Sequence, residues 1–103
     1  MNISKDDLKS TYINDKEKFF KLSYEIISFC ISRNFNSYSK EDKDDFIQES
    51  VLVLLKDYNK INPEKNIMSL IFHITSKRTL QIIRKENKRN EIVTILPLDT
   101  MNL

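Results

Sequence analysis

The sequence contains no glycine among its 103 residues, and this absence constrains the chain more than any other feature. Glycine adopts positive φ angles without steric cost, and several functional loops require it at fixed positions. Phosphate-binding loops, dinucleotide-binding fingerprints and the nucleophile elbow of hydrolases all depend on such glycines. The sequence therefore excludes these three kinds of site.

Length and cysteine content place the chain in a broad class. A chain of 103 residues suits one domain with a single small core. Cys30 is the only cysteine and is expected in the core, so no internal disulfide forms and a reducing, cytoplasmic compartment is expected. The charged segment Met1–Ser10 has no signal-peptide core, and the apolar run 51–55 is far shorter than a membrane span. We expect no membrane segment.

The charges are divided unequally along the chain. Residues 1–64 carry 10 basic and 12 acidic side chains, a net charge of −2. Residues 65–103 carry 7 basic and 3 acidic side chains, a net charge of +4. The second part of the chain is therefore better suited to a polyanionic partner than the first.

Capping residues and apolar spacing predict where the helices begin. Asn14 and Glu17 match a capping box, and the apolar residues that follow predict a helix over about 15–34. Residues 1–13 are expected to form a polar N-terminal arm with a short helix near Leu8.

Two further helices follow. Ser39 precedes an acidic first turn and predicts a helix over about 41–58. The turn at Asn62-Pro63 ends that segment, and Asn66 is suited to cap a third helix over about 67–90.

These elements predict an all-α fold, a small bundle of three to four helices. The helical domain is expected to span residues 14–90. Residues 91–103 are expected to form an extended tail or linker, because Ile92 to Pro97 is β-like and proline stops a helix.

The third predicted helix has one polar, cationic face. At 100° per residue, five of its side chains fall within an arc of about 80°. Lysine and arginine there would neutralise phosphates, and histidine and glutamine would reach base edges. The alternative is a solvated face whose basic last turn complements the helix dipole. The five residues are His73, Lys77, Gln81, Arg84 and Lys88.

Acidic residues gather at the start of the middle helix. Asp42, Asp44, Asp45 and Glu49 lie there, with Gln48 among them. One interpretation is a docking face for a basic partner, and the other is ordinary compensation of the helix dipole. A magnesium site is not expected, because no nucleotide-binding element accompanies the carboxylates.

A more specific pattern overlaps these acids. Asp45-Phe46-Ile47-Gln48-Glu49 resembles the Asp-Leu-Val/Ile-Gln-Glu motif in the second conserved region of bacterial RNA polymerase sigma factors. Asn62-Pro63-Glu64-Lys65 is similar to the family's Phe-Asp-Pro-Glu-Arg-Gly turn, and segment 95–99 to the start of its linker. The resemblance covers about residues 20–90. The helix that follows this turn in the family is matched by Ile67, Leu70, Ile71, Ile74, Leu80, Ile83 and Arg84.

The resemblance implies two binding surfaces. In sigma factors the first motif docks on the clamp helices of the polymerase largest subunit, and the following helix contacts the −10 promoter element. The polymerase-binding residues implied here are Asp45, Gln48, Glu49, Leu52 and Leu55. The DNA-binding residues implied are Leu70, His73, Lys77, Leu80, Gln81, Arg84, Lys85, Lys88 and Arg89.

The sequence departs from the family at several positions. Leu70, His73 and Ile74 stand where aromatic residues stack on unpaired bases, so independent promoter melting is expected to be weak. Arg78 falls in the apolar stripe and is expected to snorkel or to pair with an acid of a neighbouring helix. Lys65 replaces the turn glycine, so the turn is expected to be strained or to take another shape.

The sequence thus predicts a transcription initiation factor or co-factor that binds core RNA polymerase and promoter DNA. Because no −35-reading domain follows in this sequence, the chain is either a piece of a longer protein or a stand-alone module assisted by a second protein that supplies −35 recognition, and we expect the second. One alternative is a sigma-like adaptor or decoy that binds polymerase without reading DNA. Another is a non-specific nucleic-acid-binding domain. Neither an enzymatic activity nor a cofactor or metal is expected, since no convergent catalytic set is present.

Overall fold

The computed structural model describes the backbone of residues 2–102 and, within it, the side chains of residues 2–87. No strand occurs in residues 2–102, so the expected all-α bundle is confirmed. A single 3₁₀ turn, Tyr58–Lys60, follows the third helix. The four helices are α1 Lys5–Asn14, α2 Lys16–Asn34, α3 Lys40–Asp57 and α4 Ile67–Asn102.

The capping residues fix the beginnings of three helices. The Ser39 Oγ accepts a hydrogen bond from the Asp42 N–H at 3.1 Å, and Asn66 caps α4 through the N–H of Ser69. Both predicted caps are confirmed. The cap of α2 is Asp15, whose carboxylate accepts from Lys18 N–H at 3.1 Å, and not Asn14 as expected. Asn14 is unavailable because it is the last residue of α1.

Helix α1 belongs to the bundle. The expected short helix is confirmed, with Ser4 as its cap. The expectation of a separate polar arm over residues 1–13 is wrong, because Leu8 is fully buried in the core and Thr11 is buried beside it. One leucine and the ring of Tyr12 give this otherwise polar helix an apolar side.

The apolar stripes of α2, α3 and α4 meet in one core. Leu8 of α1 closes one side of it. Cys30 is buried, as expected for a packed residue. The other fully enclosed or nearly enclosed apolar side chains are Phe19, Ile26, Ile27, Ile31, Phe46, Ile47, Leu54, Ile61, Ile67, Ile71 and Ile74.

Small hydroxyl residues are buried where the helices pack. Ser23, Ser50 and Thr75 each return their side-chain O–H to the carbonyl four residues earlier, at 2.7–2.8 Å. Because each donor is satisfied within its own helix, these residues are buried at little cost. Their small side chains occupy buried positions on α2, α3 and α4 without leaving an unpaired O–H.

The end of α4 differs from the expectation. The helix continues to Asn102, whereas a helix end near Asn90 and an extended segment after it were expected. Ile92, Ile95 and Leu96 have the spacing of a helical stripe as well as β-branched character, so the local pattern is compatible with either state.

The connection between α3 and α4 needs no glycine. Among the described residues no φ angle is positive, so Lys65 takes a backbone conformation open to any residue. The turn is held by the Asn62 side chain, whose Oδ1 accepts from Glu64 N–H at 3.0 Å. The backbone strain that a positive φ angle would cause, one of the two expectations for this turn, is therefore absent at Lys65. No helix in the described part of the chain combines the length and apolarity that crossing a bilayer requires.

Candidate docking and nucleic-acid interface

One face of α3 is exposed and mixed in character. Asp45, Gln48, Leu52 and Leu55 lie within an arc of about 80° on the helix, and all four are exposed. Leu52 is 57% exposed and Leu55 48%, so this face adds apolar area to its polar groups. We call these four residues the docking face. It contains four of the five residues implied in polymerase binding.

Glu49, the fifth residue, already has a partner in the chain. Its Oε2 lies 2.9 Å from Nη2 of Arg78 on α4, and both side chains are partly exposed. The expectation that Arg78 pairs with an acid of a neighbouring helix is therefore confirmed. The sequence did not indicate which acid, because the choice depends on how α3 packs against α4.

Arg78 has few other partners. Its Nη1 lies 3.5 Å from Oε1 of Gln81, a long contact. Its Nε is buried and has no hydrogen-bond partner among the described residues. The guanidinium is therefore held mainly by Glu49.

The cationic face of α4 is formed by four exposed side chains, those of His73, Lys77, Gln81 and Arg84. Lys85 at its edge is exposed too. The two leucines implied in DNA binding differ: Leu80 is 40% exposed, whereas Leu70 is half-buried against the core. The implied contributions of Lys88 and Arg89 lie outside the described side chains.

A first groove runs between the cationic face and the end of α3. Its volume is about 370 Å³. Val53, Ile61, Leu70 and Ile74 give it an apolar floor, and polar and charged side chains form the rim. Sequence reasoning missed the contributions of Val53 and Lys60, because they reach the groove only through the packing of α3 and the 3₁₀ turn on α4. The rim residues are Asp57, Lys60, His73, Lys77, Arg78 and Gln81.

A second groove, of about 410 Å³, joins the two sets of predicted residues. Asp45, Gln48 and Glu49 line it from α3, and Gln81 and Lys85 line it from α4. The sequence predicted two separate surfaces. The structure brings them together along one groove, with Arg78 lining both this groove and the first.

The docking face continues onto α2 as an apolar concavity. Leu55 lies beside Phe20 and Tyr24, and Tyr24 is 52% exposed. Lysine and glutamate side chains of α2 surround the aromatic rings. Sequence reasoning missed these two aromatics, although an exposed tyrosine on a helix with a well-defined buried stripe is a usable signal.

No metal centre accompanies these surfaces in the part of the chain that the structure describes. No group of three or more histidine, cysteine, aspartate or glutamate side chains there is arranged to hold an ion. Asp45 and Glu49 lie one helical turn apart and both line the second groove, and Glu49 is paired with Arg78.

Comparison with known proteins does not extend this description. No protein-family model matches the chain, and neither the curated proteins nor the solved structures gave a match.

Proposed function

We propose that this chain is a sigma-like transcription initiation factor or co-factor that binds core RNA polymerase through α3 and contacts −10 promoter DNA through α4. The observation that carries the proposal is the adjacency of the docking face and the cationic face across one groove. Together with the resemblance of segment 45–49 and of α4 to sigma factors, this adjacency supports simultaneous contact with a protein and with DNA.

The docking face has the composition of a protein interface. Leu52 and Leu55 supply exposed apolar area, and Asp45 and Gln48 supply charge and hydrogen-bonding groups beside them. In protein interfaces an apolar centre supplies most of the affinity, and polar rims set orientation and association rate. The acidic character of this rim favours a basic partner surface, as in the clamp helices that the resemblance implies.

The α4 surface has the chemistry of a nucleic-acid interface. Lys77 and Arg84 are exposed cations, and His73 and Gln81 lie beside them on the same face. Lysine and arginine bind phosphates, and glutamine binds base edges. The first groove, with its apolar floor, offers room beside these side chains for part of an unstacked strand.

A pull-down with core RNA polymerase tests the docking assignment. We expect Asp45→Ala with Gln48→Ala to reduce retention of the chain on immobilised polymerase. The matched control is Asp6→Ala with Ser10→Ala, an exposed acid and an exposed polar residue on α1. Equal retention of both double variants would contradict the assignment.

One observation favours an adaptor that occupies polymerase without reading DNA. The exposed part of α4 carries no phenylalanine, tyrosine or tryptophan side chain among its described residues, and Phe72 is half-buried against the core. Base stacking on aromatics contributes about 1–3 kcal/mol per base, so base capture here would be weak.

A fluorescence assay with forked −10 DNA separates these functions. An initiation factor bound to polymerase distinguishes −10 sequences from scrambled ones. An adaptor shows no sequence preference with polymerase present. A non-specific nucleic-acid-binding domain binds both DNAs equally without polymerase, with a steep dependence on salt.

A further inference from the structure

The Glu49–Arg78 ion pair links the two surfaces of the proposed function. We propose that Arg78 is an additional phosphate-binding residue of the α4 interface, and that Glu49 withholds it until a basic partner group engages Glu49. The inference rests on the proposed function and adds to it a residue and a coupling between its two sites. Neither follows from the resemblance, in which Arg78 takes a position occupied by an aliphatic residue.

The placement of Arg78 supports a binding role. It lines both grooves, and in the first Lys60 and Lys77 accompany it with a single acid, Asp57, among the described lining residues. The second groove has four lining acids, Asp42, Asp45, Glu49 and Glu86, so the first is the better place for a phosphate. The Arg78 side chain is 35% exposed, and a change of rotamer directs it further into the first groove.

The contacts of Arg78 explain how Glu49 keeps its guanidinium from binding a phosphate. Only the contact with Glu49 is short, at 2.9 Å, and the contact with Gln81 is long. An arginine has five N–H donors, and the buried Nε has no acceptor among the described residues. Glu49 is therefore the acid that pairs with this guanidinium among the described residues, and loss of its charge would leave Arg78 free to bind a phosphate.

Glu49 is open to competition. Its side chain is 41% exposed and lies at the edge of the docking face, one helical turn from Asp45 and Leu52. A lysine or arginine of a docked protein competes with Arg78 for this carboxylate. By thermodynamic linkage, a partner that binds Glu49 strengthens DNA binding, and DNA strengthens partner binding by the same factor.

Fluorescence anisotropy with a labelled oligothymidylate of about 12 nucleotides tests the inference on the whole chain. Glu49→Gln keeps the shape of the side chain and removes its charge. We expect it to bind the oligonucleotide about five-fold more tightly. Between about 50 and 200 mM salt, the slope of its log binding constant against log salt concentration should become more negative by about 0.7, the value for one added phosphate contact on a single strand.

The control for charge alone is Glu25→Gln, which changes an exposed glutamate on α2, away from both grooves. It should leave the salt slope unchanged. In an Arg78→Gln background, Glu49→Gln should give no gain. An equal effect of Glu49→Gln and Glu25→Gln, or a gain that persists without Arg78, would overturn the inference. If Arg78→Gln unfolds the chain, the difference in salt slope between Glu49→Gln and Glu25→Gln still tests the inference.

A further variant separates this inference from the proposed function. Lys77→Gln with Arg84→Gln should weaken oligonucleotide binding, because both cations are on the cationic face. If it weakens binding while Glu49→Gln has no effect, only the role of Arg78 is overturned. If it has no effect, or if no variant binds the oligonucleotide, DNA contact through α4 fails and the inference fails with it.

Discussion

Tyr12 and Tyr58 each donate a hydrogen bond to the backbone carbonyl of the other. The Tyr12 hydroxyl lies 2.8 Å from the carbonyl oxygen of Tyr58, and the Tyr58 hydroxyl lies 3.2 Å from that of Tyr12. Their rings are in contact, with centroids 4.8 Å apart. The Tyr12 hydroxyl also reaches the carbonyl of Ile61 at 3.2 Å. The pair therefore fastens α1 to the turn that follows α3.

Removing one hydroxyl of this pair should destabilise the fold measurably. We expect Tyr12→Phe to lower the free energy of unfolding by about 1–2 kcal/mol, since the ring stays and the hydroxyl hydrogen bond shared by two carbonyls is lost. Urea denaturation followed by circular dichroism measures this change. Tyr24→Phe is the control, because Tyr24 is exposed, and it should leave the unfolding midpoint unchanged.

The same pair predicts a dependence of stability on alkaline pH. Burial, with a smaller contribution from Tyr12, raises the pKa of Tyr58 above its ordinary value of 10.0. The folded state thus retains the Tyr58 proton more strongly than the unfolded state does. Its contribution is fully present below about pH 10 and is lost as the pH rises through the folded-state pKa.

Urea unfolding at a series of pH values, for the natural chain and for Tyr58→Phe, measures this contribution. The difference in free energy of unfolding between the two proteins should be constant below pH 10 and shrink above it. A difference that does not change with pH would contradict the prediction.

The burial of Leu8 on α1 predicts that this side chain is essential for the stability of the fold. Leu8 is fully buried, so Leu8→Ala should lower the free energy of unfolding by about 2–5 kcal/mol through lost contacts and a cavity. Ile13→Ala, on the same helix and 58% exposed, should change it by less than about 0.5 kcal/mol. Equal effects of the two variants on urea unfolding would mean that α1 is not part of the core.

The exposed leucines of α3 predict a loss of polymerase affinity without a loss of stability. Leu52→Gln should weaken binding to core polymerase by about five- to thirty-fold, the effect of losing one apolar contact of 1–2 kcal/mol. Its thermal unfolding should match that of the natural chain, because Leu52 is 57% exposed. Ile13→Gln is the control for removing exposed apolar area elsewhere. Biolayer interferometry on immobilised polymerase compares the two.

Local signals in the sequence predicted what depends on local chemistry. The caps Ser39 and Asn66 act on N–H groups only three residues away, so their effect is readable without the fold. The pairing of Arg78 was also predictable, since a charge in an apolar stripe needs a counter-charge. The exposed, cationic face of α4 followed from helical periodicity alone.

Features that depend on packing were not predictable in the same way. Helix α1 joins the bundle through Leu8, which packs in the core where α1 contacts α2 and α4. A mostly polar segment gives little indication of such packing. The second groove depends on the angle and register at which α3 lies against α4. Residue spacing within each helix does not give that angle, so the presence of Gln48 and Lys85 in one groove was not expected.

The described residues have no positive φ angle and the sequence has no glycine, and this has a consequence for how the chain folds. Glycine loses more backbone freedom on folding than any other residue, so a chain without it begins from a less disordered unfolded ensemble. The segments 35–39 and 61–66 are therefore ordered at a lower entropic cost than glycine-containing connections of equal length. Placing a glycine in either connection would raise the conformational entropy of the unfolded state without adding a contact to the folded state.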